Sequence, residues 1–178
     1  MLLTTNEMAD TIMISELASI EVTFDFTIDY VTNCMKKHEY EDWLHTAMWN
    51  YYVFVKDVKS NEWFYLGVPL YDYRHEAGNV NGEDIETGAF CYIPSYDDTF
   101  GDARVKVGER FTHTVDILPF IKRAFDTAQK KGFLSGCQYE NLYISGCNYG
   151  WEVPGTFDCM ATSHEFNMTY TLVDEMPQ

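Results

Sequence analysis

Basic residues are scarce in this chain. Twelve lysines and arginines stand against 28 aspartates and glutamates, giving a formal charge of −16 over 178 residues. Phosphate backbones and anionic lipid surfaces are held by clustered Lys and Arg, so direct binding of nucleic acid or a membrane surface is not expected. Long apolar runs are missing too; none approaches the roughly 20 residues that a membrane helix needs. Met1 to Asp10 has neither a basic nor an apolar leader region, so no secretory signal is expected. The five cysteines (Cys34, Cys91, Cys137, Cys147, Cys159) are widely and irregularly spaced, with no CxxC. That pattern fits reduced thiols in a cytoplasm better than a disulfide framework. GxSxG, GxGxxG and GxxxxGK[ST] are all absent, which argues against nucleotide hydrolysis and dinucleotide binding. His38, His45 and His75 have no zinc spacing, and the oxygen-rich run from Asn79 to Asp84 lacks the EF-hand spacing, so no metal or other cofactor is expected.

What the chain has in quantity is aromatic surface: 12 Phe, 13 Tyr and 4 Trp. Acidic chains that stay disordered are poor in such residues, so this one reads as a folded domain with a negative surface. Residues 1–16 are weakly patterned and read as an N-terminal extension, with Asn6 able to cap a short helix. Residues 17–178 read as a single domain. From Glu21 to Tyr30 the chain alternates strictly, with Val22, Phe24, Phe26, Ile28 and Tyr30 on one face, the mark of a half-buried strand. Ala47–Val58 and Trp63–Val68 flank the polar turn Lys59–Glu62 and read as a hairpin. Residues 72–102 are turn-rich and acidic, with a short strand expected at Ala89–Ile93 and another strand region over Asp102–Val115.

One helix is expected at about 117–131. Asp116 can cap it, Pro119 sits in its first turn and Gly132 ends it. Ile117, Phe120, Ile121, Ala124, Phe125 and Ala128 give it an apolar face, and Lys122, Arg123, Lys130 and Lys131 a solvated one. Leu142–Ser145 reads as a strand, Gly146–Gly155 as a loop, and Phe157–Ala161 and Phe166–Leu172 as closing strands. The sum is a mainly β chain: an antiparallel, jelly-roll-like β-sandwich with one amphipathic helix.

Two sets of side chains are candidates for function. The first is the acidic segment Asp72, Glu76, Glu83, Asp84, Glu86, Asp97, Asp98 and Asp102, a candidate surface for a basic partner. The second is Trp63, Tyr149, Trp151 and Glu152. Aromatic rings stack on sugars, and an aromatic neighbour raises a carboxyl pKa, as a general acid requires. A glycosidase needs a second carboxyl; Asp25, Asp29, Asp72 and Asp158 are the candidates for Glu152's partner.

The stretch Asn141–Leu172, centred on Gly150–Asp158, resembles the last strands of jelly-roll carbohydrate-binding modules. The Trp49/Trp63 hairpin and the Leu66–Asp72 segment fit the same pattern. This resemblance implies a sandwich whose aromatics stack on sugar rings. In composition the chain is also similar to phage-encoded acidic inhibitors of the anti-CRISPR and DNA-mimic type. Charge and the missing catalytic motifs favour the second: a cytoplasmic, non-enzymatic inhibitor docking on a basic, nucleic-acid-binding protein. The alternative is a carbohydrate-binding module or a glycosidase using Glu152. Oligomeric state has no signature in the sequence.

Overall fold

The computed structural model describes residues 2–5, 12–74 and 78–175. Its strands are β1 (Leu2–Thr5), β2 (Leu17–Asn33), β3 (Met48–Asp57), β4 (Trp63–Asp72), β5 (Gly78–Glu83), β6 (Phe90–Ser95), β7 (Arg110–Asp116), β8 (Leu142–Glu152) and β9 (Phe157–Leu172). Two helices interrupt them, α1 (Tyr96–Phe100) and α2 (Leu118–Lys130). The strands form a six-stranded sheet, ordered β1-β8-β3-β4-β6-β5, and a three-stranded sheet, ordered β7-β2-β9. The chain is therefore a two-sheet, mainly β jelly-roll sandwich, as the alternation predicts. One departure from a purely antiparallel sandwich is β6, which inserts between β4 and β5 and runs parallel to β4.

The alternating residues of β2 supply the small sheet's contribution to the core: Val22, Phe24, Phe26 and Ile28 are fully buried. They meet Trp49, Tyr51, Val53 and Val55 of β3 and Phe64, Leu66, Val68 and Leu70 of β4. Burying a large apolar side chain contributes roughly 1.5–3 kcal/mol each, so this interlayer is the main source of stability. The helix α2 covers a part of the large sheet's inner face with Phe120, Ile121, Ala124, Phe125 and Ala128, and Phe125 packs on Phe64 with ring centroids 6.3 Å apart. The Asp116 carboxylate accepts from the Leu118 backbone N–H at 3.1 Å, as expected of a helix-starting Asp.

The sequence breaks the last two strands where the structure does not. β8 runs unbroken through Gly146 and Gly150, because pairing with β3 on one side and β1 on the other holds the glycines extended. β9 is one 16-residue strand whose middle is absorbed by bulges against β2. The short helix expected from Asn6 falls mostly outside the described residues; Ile14, just beyond it, is buried in the core.

Candidate functional site

A β-strand sends successive side chains to opposite faces. With the odd residues of β3 and the even residues of β4 turned into the core, Asn50, Tyr52 and Phe54 and the half-buried Trp63 and Tyr65 fall on the outer face of the large sheet. There they make a continuous aromatic stripe. Tyr52 meets Tyr65 edge-on at 5.6 Å, Phe54 meets Trp63 at 5.9 Å, and Trp63 stacks on Tyr65 at 5.9 Å. Gly67 lies opposite Tyr52 across the β3–β4 pair. A Cβ there would sit 2.8 Å from Cε1 of Tyr52 and 2.9 Å from Cγ1 of Ile93, so only glycine lets the Tyr52 ring lie down on the sheet.

Glu152 ends β8 on the same face. Its Oε2 accepts from Nδ2 of Asn50 and from the Tyr52 hydroxyl, each at 3.3 Å. Desolvation raises its pKa above the ordinary carboxylate value; these two hydrogen bonds oppose the rise, and the charges of Asp84 and Glu86 add to it. The chain is then turned sharply by Gly155, whose φ of +121° favours glycine. Thr46 N–H donates to the Pro154 carbonyl at 2.9 Å, which anchors this turn beside the site.

Asp84 comes to this face from the β5–β6 hairpin. Its Oδ1 accepts from Thr87 N–H and Oγ1, both at 2.8 Å, and from Glu86 N–H at 3.2 Å. Burial pushes its pKa up, but the Thr87 bonds, the adjoining Tyr65 hydroxyl and the Glu86 amide outweigh that and leave it lowered. Beyond Asn50 and Tyr52 lies a pocket of about 110 Å³, also lined by Met48, Arg74 and Ile93. Arg74 and Asp72 form a paired wall there, with Nη2 to Oδ2 at 2.7 Å and Nε to Oδ1 at 3.0 Å. Past Arg74 an open depression is lined by Tyr40, Trp43 and Tyr73, with Trp43 73% exposed.

The two predicted sets of site residues are dispersed differently. Trp63 and Glu152 share the outer face. Tyr149 does not: it is buried between the sheets, stacked on Phe166 at 4.8 Å, out of reach of a sugar. Trp151 follows the same alternation inward and packs edge-on against Trp49 at 5.3 Å. Of the carboxyls expected to partner Glu152, Asp25, Asp29 and Asp158 belong to the three-stranded sheet, bonded respectively to Arg110, Thr162 and Tyr30. Asp72 is on the right sheet but is neutralised by Arg74.

Within the acidic set, Asp97 and Asp98 pair with Arg104 and Arg123, while Glu83, Glu86 and Asp102 are exposed. Glu76 lies outside the described residues. Asn50, Tyr52, Phe54 and Tyr65 are absent from the sequence-level candidates. For Tyr52 and Phe54 the signal is the unbroken apolar run Tyr51–Val55, and for Tyr65 the run Trp63–Leu66, each filling both faces of a strand that has only one core to serve; Asn50 has no such signal.

No protein-family model matches the sequence, and no curated protein is similar to it. Solved structures are similar in fold. A family 12 xyloglucanase from Bacillus licheniformis superposes with a TM-score of 0.54 at 12% identity, over 90% of this chain and 66% of that one. The endo-1,4-β-glucanase CelB2 gives 0.53 at 6% identity, over 90% and 65%. The xyloglucanase domain of NopAA, a type three effector from Sinorhizobium fredii, gives 0.51 at 11% identity, over 96% and 74%. The chain thus spans about two thirds of the length of the first two. The likeness is one of fold, and the fold is the jelly-roll sandwich of glycoside hydrolases. It overturns the expectation of a non-enzymatic acidic inhibitor of the anti-CRISPR or DNA-mimic type: the fold is shared with structures named as endo-1,4-β-glucanase and xyloglucanase, and nothing in these comparisons shows a likeness to such inhibitors.

Proposed function

We propose that this protein is a glycoside hydrolase acting on a β-1,4-linked glucan backbone, plain or xyloglucan-like, with Glu152 as its general acid. The observation that carries the proposal is Glu152 itself, a carboxyl held by Asn50 and Tyr52 beside an aromatic stripe, with its pKa raised chiefly by desolvation. A carboxyl of that kind holds its proton long enough to give it to a leaving glycosidic oxygen. Tyr52, Phe54, Trp63 and Tyr65 offer flat apolar surface against which sugar rings stack. The fold shared with endo-1,4-β-glucanase and xyloglucanase structures supports the substrate class.

The test is release of reducing ends from soluble β-1,4-glucan and from xyloglucan, with Glu152→Gln alongside. Wild type is expected to cleave at least one of them. The variant should keep binding while kcat falls about a hundred- to ten-thousand-fold, the range of general-acid catalysis. Retention of the glucan by wild type with no cleavage would leave a binding protein and end the hydrolase proposal.

A further inference from the structure

The connection between β2 and β3 carries a tryptophan that the core does not use. Trp43 is 73% exposed, while Trp49, Trp63 and Trp151 are buried or half-buried. Its backbone is nonetheless fixed. Residues 34–47 are tied at both ends to the turn that follows β8: Cys34 N–H donates to the Thr156 carbonyl at 3.0 Å, and Thr46 N–H to the Pro154 carbonyl at 2.9 Å. Between these ties the backbone makes two successive turns, with Tyr40 N–H donating to the Lys36 carbonyl at 3.2 Å and His45 N–H to the Glu41 carbonyl at 2.8 Å. The Asp42 carbonyl accepts from Nη1 of Arg74 at 3.4 Å. A backbone held in this way need not be ordered when a ligand arrives, which removes one cost of binding.

We infer that the depression around Trp43 is a second glycan-binding site, a platform on which the Trp43 ring stacks against a sugar of a neutral β-1,4-linked glucan chain. The choice of glucan rests on the substrate proposed above; the platform itself needs no cleavage.

Size, lining and charge all fit a neutral sugar. The depression has a volume of about 760 Å³, within the roughly 300–1,000 Å³ of ligand sites. Tyr73 stands edge-on to Tyr40 at 6.4 Å and to Phe157 at 5.1 Å, so Tyr40, Trp43 and Tyr73 line it with packed rings that carry two phenolic hydroxyls. A sugar ring, apolar on its C–H face and edged by hydroxyls, matches both kinds of surface. An ionic ligand finds little to hold. Arg74, the cation among the described lining residues, already donates from Nε and Nη2 to the Asp72 carboxylate and from Nη1 to the Asp42 carbonyl. The adjoining stretch 36–42 carries two lysines against three acids and so presents no field of one sign. Arg74 also joins the depression to the outer face, because it lines both this depression and the pocket beside Asn50 and Tyr52. A chain lying on the stripe passes Arg74 to reach the platform.

The experiment reads binding without cleavage. Glu152→Gln is the parent, and Trp43→Ala, Trp43→Tyr and Leu44→Ala are added to it singly. Each protein is run on native gels containing soluble β-1,4-glucan or xyloglucan. Leu44 is 44% exposed beside Trp43 but does not line the depression, so it controls for lost apolar surface. Trp43→Ala should bind about tenfold more weakly, the size of a good aromatic contact, whereas Trp43→Tyr should stay within about threefold of the parent and Leu44→Ala should match it. All four should melt together, because Trp43 and Leu44 are exposed. Acrylamide quenching reads the ring itself: the quenchable emission that the parent has and Trp43→Tyr lacks should be shielded when polymer is added.

Unchanged retardation of Trp43→Ala, or emission that the polymer does not shield, would overturn the platform, as would a parent protein retarded by neither polymer. A dimer in sedimentation that Trp43→Ala abolishes would assign the depression to a second copy of the chain and overturn it too. Retardation that depends on Trp43, with no cleavage by wild type, would leave the platform standing and end the hydrolase reading. Cleavage by wild type with binding indifferent to Trp43 would do the reverse.

Discussion

Two carboxyls on the outer face show how environment sets the role of a residue. Glu152 is raised by desolvation, which its two hydrogen bonds only partly oppose. Asp72 is also penalised by desolvation, but the Arg74 guanidinium, the Arg74 backbone N–H and the Thr46 hydroxyl, at 2.7 Å, more than offset it and hold the pKa low. The two therefore make opposite contributions to stability as pH changes. A group raised in the folded state stabilises below its unfolded pKa, and that contribution is lost as pH rises through the folded pKa. At neutral pH an ionised Glu152 thus weakens the fold. Glu152→Gln should raise Tm near pH 7, with the gain vanishing as pH falls below about 4, where the wild-type carboxyl is itself neutral. Asp72, lowered, stabilises above its unfolded pKa and loses that contribution as pH falls through its folded pKa. Asp72→Asn should therefore lower Tm at neutral pH, and less so in acid. Thermal melts across pH would check both signs; a Glu152→Gln protein less stable than wild type at neutral pH would show that the carboxylate is a structural partner.

At the scale of elements, the β3–β4 hairpin is the scaffold of the site, and Gly67 is its least replaceable position. Gly67→Ala drives a Cβ against the Tyr52 ring and Ile93. Overpacking of this kind costs about 1–3 kcal/mol. The displaced Tyr52 should also withdraw its hydroxyl from Glu152, so denaturant melts and the Glu152 titration should move together. Elements built from local pattern were legible in the sequence. β2 follows from strict alternation, the hairpin from two apolar runs around Lys59–Glu62, and α2 from its apolar spacing between Asp116 and Gly132. β8 was not legible beyond Ser145, because Gly146 and Gly150 read as loop until the neighbouring strands hold them extended. That error carried into the site. Read as a loop, Gly146–Gly155 puts Tyr149, Trp151 and Glu152 on one surface. As strand residues they split, the two aromatics inward and the acid outward. Asp84 was legible as an acid but not as a residue beside Tyr65 on this face, since its place depends on β6 inserting beside β4.

At the scale of the whole molecule, the charge of −16 acquires a different meaning under the proposed reading of the outer face as a glycan surface. Glu83, Asp84 and Glu86 come from the hairpin that carries the face's edge, and Glu152 stands within it. Of the cations at hand, Arg74 is already paired with Asp72, Lys131 is bonded to Asn81 on β5, and Lys56 stands opposite Trp63, at the other end of β3 from Glu152. A face walled by carboxylates repels anionic chains and leaves neutral sugars, which bind by stacking and hydrogen bonding, unaffected. A carboxymethylated β-1,4-glucan should therefore bind more weakly than the neutral polymer of the same backbone at low ionic strength. The gap should narrow as salt passes about 0.1 M, where the screening length falls to roughly 10 Å. Titrations of both polymers against Glu152→Gln, which binds without cleaving, would measure this directly. A preference for the neutral polymer that did not respond to salt would assign the discrimination to the shape of the stripe formed by Tyr52, Phe54, Trp63 and Tyr65, with the acidic surface left to keep the protein soluble.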